Sequence, residues 1–363
     1  MWRSRICALA TKGEFMTVPE TMLAARLLRH GGPEALELAR VRVPTPGTGE
    51  VLVRVGAAAL NNTDVWTREG SYGLPGEPMA RAGWLGAIDF PRIQGADIAG
   101  TVALTGEGVD SGLLGARVLV DPALYDGPGE HAEPVGLLGS ERDGGYAEYT
   151  VVAADRVHLV QDSPLGDVEL ACLPTSYGTA LGMLERGGVQ AGETVVVTGA
   201  SGGLGLALVQ LAVARGAHVI AISSSSKLAS VREAGAGTVL DRGTTGVWEQ
   251  VPEGVDAVLD VVGGHGITEG MDRLRLGGRW VIGGALGGNE ARVDVRRIYT
   301  RRLRLIGSSM HTPAHFHRLV DLARQGAVSP VVASTYPLAE VHRAQAALDE
   351  RRHVGKLVLT LSP

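Results

Sequence analysis

The sequence predicts an α/β protein of two parts, a mainly antiparallel barrel-like unit and a doubly wound parallel sheet carrying helices. Three observations predict it. Short β-like runs broken by turn residues fill the chain from Ala24 to about Val160; from Leu173 buried strands alternate with helices; and a tight glycine turn joins the first of those strands to an apolar helix.

The first unit is built from AARLLRH, LELARVRVP, EVLVRVGAAAL, ADIAGTVAL, ARVLVDP and YAEYTVVAADRVHLV. These are β-like runs broken by turn residues, a spacing that suggests a compact, mainly antiparallel barrel-like unit. Two Gly/Pro-rich interruptions, from Tyr72 to Pro91 and from Asp121 to Gly144, read as long loops of the kind that wall a binding site. In the second unit the strands are TVVVTG, HVIAIS, TVLD, VDAVLDVV, RWVIGGA and LRLIGSS. Between the first two lies LGLALVQLAVARGA, apolar on nearly all sides, as a helix packed on a sheet must be. After Met310 the tail reads helix, strand, helix and a last strand, GKLVLTL, that rejoins the first unit.

The 363 residues exceed one ordinary core, at roughly 150 residues per domain. The expected division is a disordered extension over 1–22, a barrel-type unit over 23–172 and 311–363, and a parallel-sheet unit over 173–310. MWRSRICALATKGEF lacks the apolar core of about seven or more residues that a secretory signal needs. No apolar run approaches the length of about 18 that would span a bilayer. A net charge of −5 provides no field to gather nucleic acid, and the cluster Arg296, Arg297, Arg301, Arg302 and Arg304 reads as a solvated face or edge-strand guard. Cys7 and Cys172 alone form neither a disulfide scaffold nor a thiolate cage, which fits a cytoplasmic protein.

The chemistry begins at Val195–Gly205, VVVTGASGGLG. A buried strand runs into a glycine turn and then a helix, so backbone N–H groups and the helix dipole are aimed at a pyrophosphate. Gly199, Ser201, Gly202, Gly203 and Gly205 form the candidate cradle, with Gly202 allowing close approach and Gly205 allowing helix-to-strand packing. The next strand ends in SSSSK, where an NAD-selective fold places an acidic residue on the ribose 2′-hydroxyl. Ser223, Ser224 and Lys227 instead make a neutral-to-positive cup suited to a 2′-phosphate, so the expected cofactor is NADPH. Val262, Gly284, Ala285 and Ser308 lie at the carboxyl ends of later strands, where open α/β sheets bind ligands.

NNTDVWTREGSY, PRIQGADIAGTV, GGYAEYTVV, Tyr177–Gly178–Thr179–Ala180, the glycine turn, VDAVLDVVGG, GGRWVIGGALGG and GKLVL together resemble the medium-chain dehydrogenase/reductase superfamily, specifically its zinc-lacking, quinone-reductase-like members. The resemblance runs from about Leu23 to Leu361 and implies a GroES-like catalytic domain beside a Rossmann dinucleotide domain. It further implies that Asn61 and Asp64 sit beside the nicotinamide and its ribose, that Tyr72 faces the substrate as a hydrogen-bond donor or proton source, and that Thr179 contacts the nicotinamide. Relatives pair edge strands into homodimers, which makes VDVRRIYTRRLRLIG the expected contact.

At the zinc-ligand positions of zinc-using relatives this chain has Asn61, Ala96–Asp97 and Ala171, with Cys172 one residue away, so three protein ligands are lacking and no metal is expected. His131, His311, His315 and His317 read as surface or helix-facing. Without a Lewis acid, hydride delivery to a conjugated acceptor, an enone or quinone, suits the site better than alcohol oxidation. The competing functions are an alcohol or polyol dehydrogenase and an adaptor that holds NADPH without turnover.

Overall fold

The computed structural model describes residues 18–72 and 83–361. A six-stranded, wholly parallel sheet forms one half of the molecule. Its strands lie in the order Thr238–Asp241, His218–Ser223, Thr194–Val197, Val255–Asp260, Leu274–Ile282 and Arg304–Gly307. Chain order therefore runs outward in both directions from a central pair, leaving a crevice between the carboxyl ends of Thr194–Val197 and Val255–Asp260, which is the Rossmann arrangement. Val195, Val196 and Val197 are fully buried because helices cover both faces, as a parallel sheet requires.

In the other half a seven-stranded sheet is mostly antiparallel. Its central strand, Glu50–Ala59, pairs with Asp97–Thr105, Tyr149–Ala153 and the final strand Lys356–Thr360. A three-stranded sheet built on Thr21–Leu27 packs with it around one apolar core. The predicted α/β class and its barrel-type and Rossmann components are both present. The final strand brings Lys356 and Leu357 beside the glycine turn, where Gly202 and Gly355 form an isolated bridge and the Gly355 N–H donates to the Ser201 carbonyl at 2.9 Å.

Local differences from expectation have local causes. The first strand begins at Thr21 and ends at Leu27, so Thr21 and Met22, assigned to the extension, belong to the sheet; Met22 is 2% exposed, and the Leu28 N–H turns away to the Ala35 carbonyl. Residues 18–20 of the predicted extension are also placed, the Glu20 carbonyl accepting the Val43 N–H at 3.0 Å, whereas 1–17 lie outside the described residues, as does 73–82 of the first long loop. The second long loop is not structureless: Ala123–Tyr125 and Pro134–Leu137 form an antiparallel hairpin. The fifth parallel strand starts at Leu274 rather than near Arg279, with an irregular register opposite Val255 and Ala257. Among the described residues, no helix is long and apolar enough to cross a membrane.

Candidate active site

A cleft of about 200 Å³ opens between the two halves, lined by Asn61, Thr63, Tyr72 and Lys356 from one side and by Gly202 and Thr179 from the other. The glycine turn forms its floor. Gly199 adopts φ +58°, which glycine takes without a Cβ clash, and Gly202 caps the helix Gly203–Ala214 in extended backbone. No side chain caps that helix, so its N-terminal dipole is directed at the cleft. A Cβ on Gly205 would lie 2.3 Å from the Gly199 carbonyl, so only glycine lets helix and strand meet this closely.

Asp260, which the sequence reading did not single out, ties the turn to the neighbouring strand. Its Oδ1 accepts the Thr198 hydroxyl at 2.5 Å and the Val262 and Gly263 N–H groups at 2.9 and 3.1 Å, and its Oδ2 accepts the indole N–H of Trp280 at 2.8 Å. One buried carboxylate thus satisfies donors from both strands that border the crevice. Gly284 also requires its identity, since a Cβ there would meet the Val261 carbonyl at 2.7 Å. Val262 and Ala285 are half-buried, their carbonyls accepting from Gly287 and Gly288.

At the end of the second strand, Ser223 is buried and its hydroxyl has no protein partner, while Ser224 is half-buried. The Lys227 ammonium donates to the Arg351 carbonyl at 2.7 Å. Burial, and secondarily the charge of Arg242, lower the Lys227 pKa. Arg351 holds φ +53° and reaches the Leu286 carbonyl with its guanidinium at 3.4 Å. Arg242, whose backbone N–H donates to the Ser223 carbonyl at 2.7 Å, thus joins Lys227 at the end of this strand, where only Lys227 was expected, and Arg351 contributes its carbonyl to Lys227. Arg242 follows the third strand and Arg351 follows the last helix, positions with no local motif to mark them.

Across the cleft, Lys356, Asp97 and Asn61 form a closed, buried triangle. The Lys356 Nζ donates to Asn61 Oδ1 at 2.6 Å and to Asp97 Oδ2 at 3.0 Å, and Asn61 Nδ2 donates to that same carboxylate oxygen at 3.0 Å. Asp97 Oδ1 accepts the Thr175 N–H at 2.7 Å. GKLVL carried part of the family resemblance, yet Lys356 had been given no role; its one available signal was a charged residue in an otherwise apolar strand.

The remaining expected residues divide. Asp64 does not face the cleft. It sits in the first turn of the helix Asn62–Glu69, accepting the Asn61 N–H and the Tyr146 hydroxyl, both at 2.7 Å, and burial raises its carboxyl to about 6 against those two bonds. Tyr72 does line the cleft, but its hydroxyl donates to Thr63 Oγ1 at 2.9 Å and burial pushes the phenol well above its ordinary value. Thr179 lines the cleft with its hydroxyl 3.8 Å from the Met310 sulfur. The Ser308 hydroxyl is engaged by Arg186 at 3.2 Å, and Ser309 lines the cleft in its place. His311, expected on a surface or a helix face, is fully buried against Asp121 at 2.9 Å.

Residues 47–162 match the family model of the alcohol dehydrogenase GroES-like domain, and 203–325 match that of the zinc-binding dehydrogenases. The chain is 30% identical to acryloyl-coenzyme A reductase of Metallosphaera sedula, with 91% of this chain and 98% of that protein covered. It is 28% identical to quinone oxidoreductase of Sus scrofa, covering 95% and 99%. A solved structure of a candidate alcohol dehydrogenase from Sinorhizobium meliloti superposes with a TM-score of 0.90 at 43% identity, covering 94% and 97%. With the cleft, the glycine turn and both domain matches in one chain, this protein is an oxidoreductase of the medium-chain dehydrogenase/reductase superfamily, in its quinone-oxidoreductase-like branch.

Proposed function

We propose that this protein transfers hydride from NADPH to a conjugated carbonyl, an enone or quinone, without catalytic zinc. The observation that carries the proposal is the Lys356–Asp97–Asn61 triangle: the residues at two expected metal-ligand positions are committed to each other and to an ammonium. Cys172 offers no alternative ligand, because its thiol donates to the Val168 carbonyl at 3.3 Å and burial pushes its pKa up to about 12. A fixed positive charge thus stands where a Lewis acid would be sought. It balances Asp97, and its side chain packs where a Cβ on Gly203 would fall, 2.5 Å from Lys356 Cδ, so it lies next to the pyrophosphate cradle.

NADPH fits the residues present. The uncapped helix at Gly202 and the packing glycines make the cradle, the hydroxyl of Ser223 has no protein partner, and Lys227 and Arg242 favour a 2′-phosphate that an acidic residue would repel. The bound cofactor supplies the hydride. Of the protein groups, Thr179 would flank the nicotinamide, Ser201, Ser224, Val262, Gly284 and Ala285 would shape the surrounding walls, and Asp64 acts through Asn61 rather than on the cofactor.

The Tyr72 hydroxyl donates to Thr63 Oγ1, so the Thr63 hydroxyl hydrogen is free to donate a hydrogen bond to a developing enolate oxygen, with Tyr72 polarising it from behind and solvent supplying the proton that ends on the product. In this reading residues 23–172 and 311–363 bind the acceptor, 173–310 bind NADPH, and the outer edge of Arg304–Gly307 forms a homodimer contact. The test is NADPH and NADH consumption across enones, quinones and alcohols with a chelator present. NADPH-dependent enone or quinone reduction supports the proposal, and zinc-dependent alcohol oxidation overturns it.

A further inference from the structure

One residue lining the cleft is unusual. Met310 is 4% exposed, yet it is not glycine and holds φ +50°. Non-glycine residues avoid this backbone region unless their surroundings impose it. Here they do. The Met310 carbonyl accepts from Arg186 Nη1 at 3.1 Å, and its sulfur lies 3.8 Å from the Thr179 hydroxyl. Its side chain packs with Ala96, Ala123 and Leu137, with Trp84 alongside.

The next residue explains the hold. His311 is fully buried, with Nε2 2.9 Å from Asp121 Oδ1 and its ring tilted against Phe316 at 5.0 Å between centroids. Its Nδ1 faces Gly178 so closely that a Cβ there would lie 2.2 Å away. Asp121 is itself fixed by the Ala123 N–H at 3.0 Å and the Tyr125 hydroxyl at 2.9 Å. The 121–144 loop makes two further contacts nearby, Glu130 O accepting the Ala314 N–H at 2.9 Å and Glu133 pairing with Arg186 at 3.3 Å. The 121–144 loop, expected to wall a binding site, is thus pinned to the segment that carries Met310.

We infer that Met310 is the residue that sets the size of the acceptor, and that the buried Asp121–His311 pair is its positioning element. The inference rests on the reductase reading of the cleft and deepens it: the acceptor is a flat, apolar conjugated carbonyl of one ring or a short chain. The aromatic rings of Trp66, Tyr72 and Trp84 line the same cavity, and Met310 lines it with its sulfur beside the Thr179 hydroxyl.

The experiment measures binding of 1,4-benzoquinone and 1,4-naphthoquinone to the NADP+-loaded protein by tryptophan quenching, with kcat/KM for the same quinones in parallel. Met310→Gly, which removes the side chain and suits the left-handed backbone, improves naphthoquinone relative to benzoquinone by about tenfold, the order of discrimination that a few methylene groups provide in an apolar pocket. Met310→Leu keeps the wild-type ratio. Asp121→Asn shifts the ratio in the same direction as Met310→Gly without changing NADPH affinity; should it fail to fold, His311→Gln reads the same coupling. An unchanged ratio in Met310→Gly overturns the size role. A ratio that stays at the wild-type value in Asp121→Asn and His311→Gln overturns the positioning role. Ratios that shift as expected with no turnover remove the reductase reading and retain the Met310 inference, while turnover with a ratio indifferent to Met310 does the reverse.

Discussion

Lys356 and Asp97, separated by 259 residues in sequence, form an ion pair of 3.0 Å with both side chains almost wholly out of solvent. The pair joins the final strand to the strand that begins at Asp97, and Asn61 bonds to both members. Removing one member strands the other. Lys356→Met is expected to lower unfolding free energy by about 3–5 kcal/mol, because it leaves an uncompensated buried carboxylate. Adding Asp97→Asn to that variant recovers a large part of the loss. Urea titration of the two single variants and the double variant measures the coupling, and additive losses would contradict it.

On the proposed reading, the cations near Ser223 select NADPH over NADH. Lys227→Ala is expected to weaken NADPH about 10- to 100-fold, the range for one lost charge-assisted hydrogen bond, while leaving NADH affinity nearly unchanged. Arg242→Ala acts in the same direction. Fluorescence titration with the two nucleotides separates this from general damage to the cradle, which weakens both equally.

On the proposed reading, enolate stabilisation depends more on the hydrogen bond from Thr63 than on Tyr72. Burial raises the Tyr72 phenol, making it a poor net acid, and its hydrogen is already engaged. Thr63→Val is expected to lower kcat by about 100-fold, the low end for losing one oxyanion hydrogen-bond donor, and Tyr72→Phe by less than about tenfold. Steady-state kinetics with one acceptor decides the order, and a larger loss in Tyr72→Phe would restore the phenol as the donor.

Asp64 links stability to pH. Its carboxyl titrates near 6 in the folded chain against an ordinary value of 3.8, because burial outweighs the bonds from Tyr146 and Asn61. The folded state therefore binds this proton more tightly than the unfolded state. The resulting stability is fully present below pH 3.8 and is lost as pH rises through 6. Relative to Asp64→Asn, the wild type is expected to lose about 3 kcal/mol between those limits, at 1.36 kcal/mol per pKa unit. Chemical denaturation of both proteins at pH 4.5 and 7 measures the difference, and a gap independent of pH would contradict it.

What was legible in the sequence was local. The glycine turn, the buried strand before it and the apolar helix after it occupy one continuous stretch, so Gly199, Gly202 and Gly205 carried their own context. Lys356 did not: its meaning depends on a strand that returns from the far end of the chain to pair with Glu50–Ala59. Asp121 and His311 are 190 residues apart and meet only because the 121–144 loop folds onto the chain returning from the parallel sheet. Asp64 was recognised as a site residue but misplaced, since its position in the first helical turn aims the carboxylate back at the Asn61 N–H instead of into the cleft. Periodicity reveals which face of an element is buried, and gives no warning of which distant side chain will share that burial.

The chemistry proposed for this protein is metal-independent hydride transfer from NADPH to a conjugated carbonyl. The most direct measurement incubates chelator-treated protein with NADPH deuterated at nicotinamide C4, using each C4 isotopomer in turn, and a cyclic enone, and follows the label by mass spectrometry and NMR. One deuterium at the β-carbon of the saturated ketone, formed by one isotopomer without added metal, is the predicted result. Label that fails to reach the β-carbon, or transfer that appears only after zinc is supplied, would contradict it.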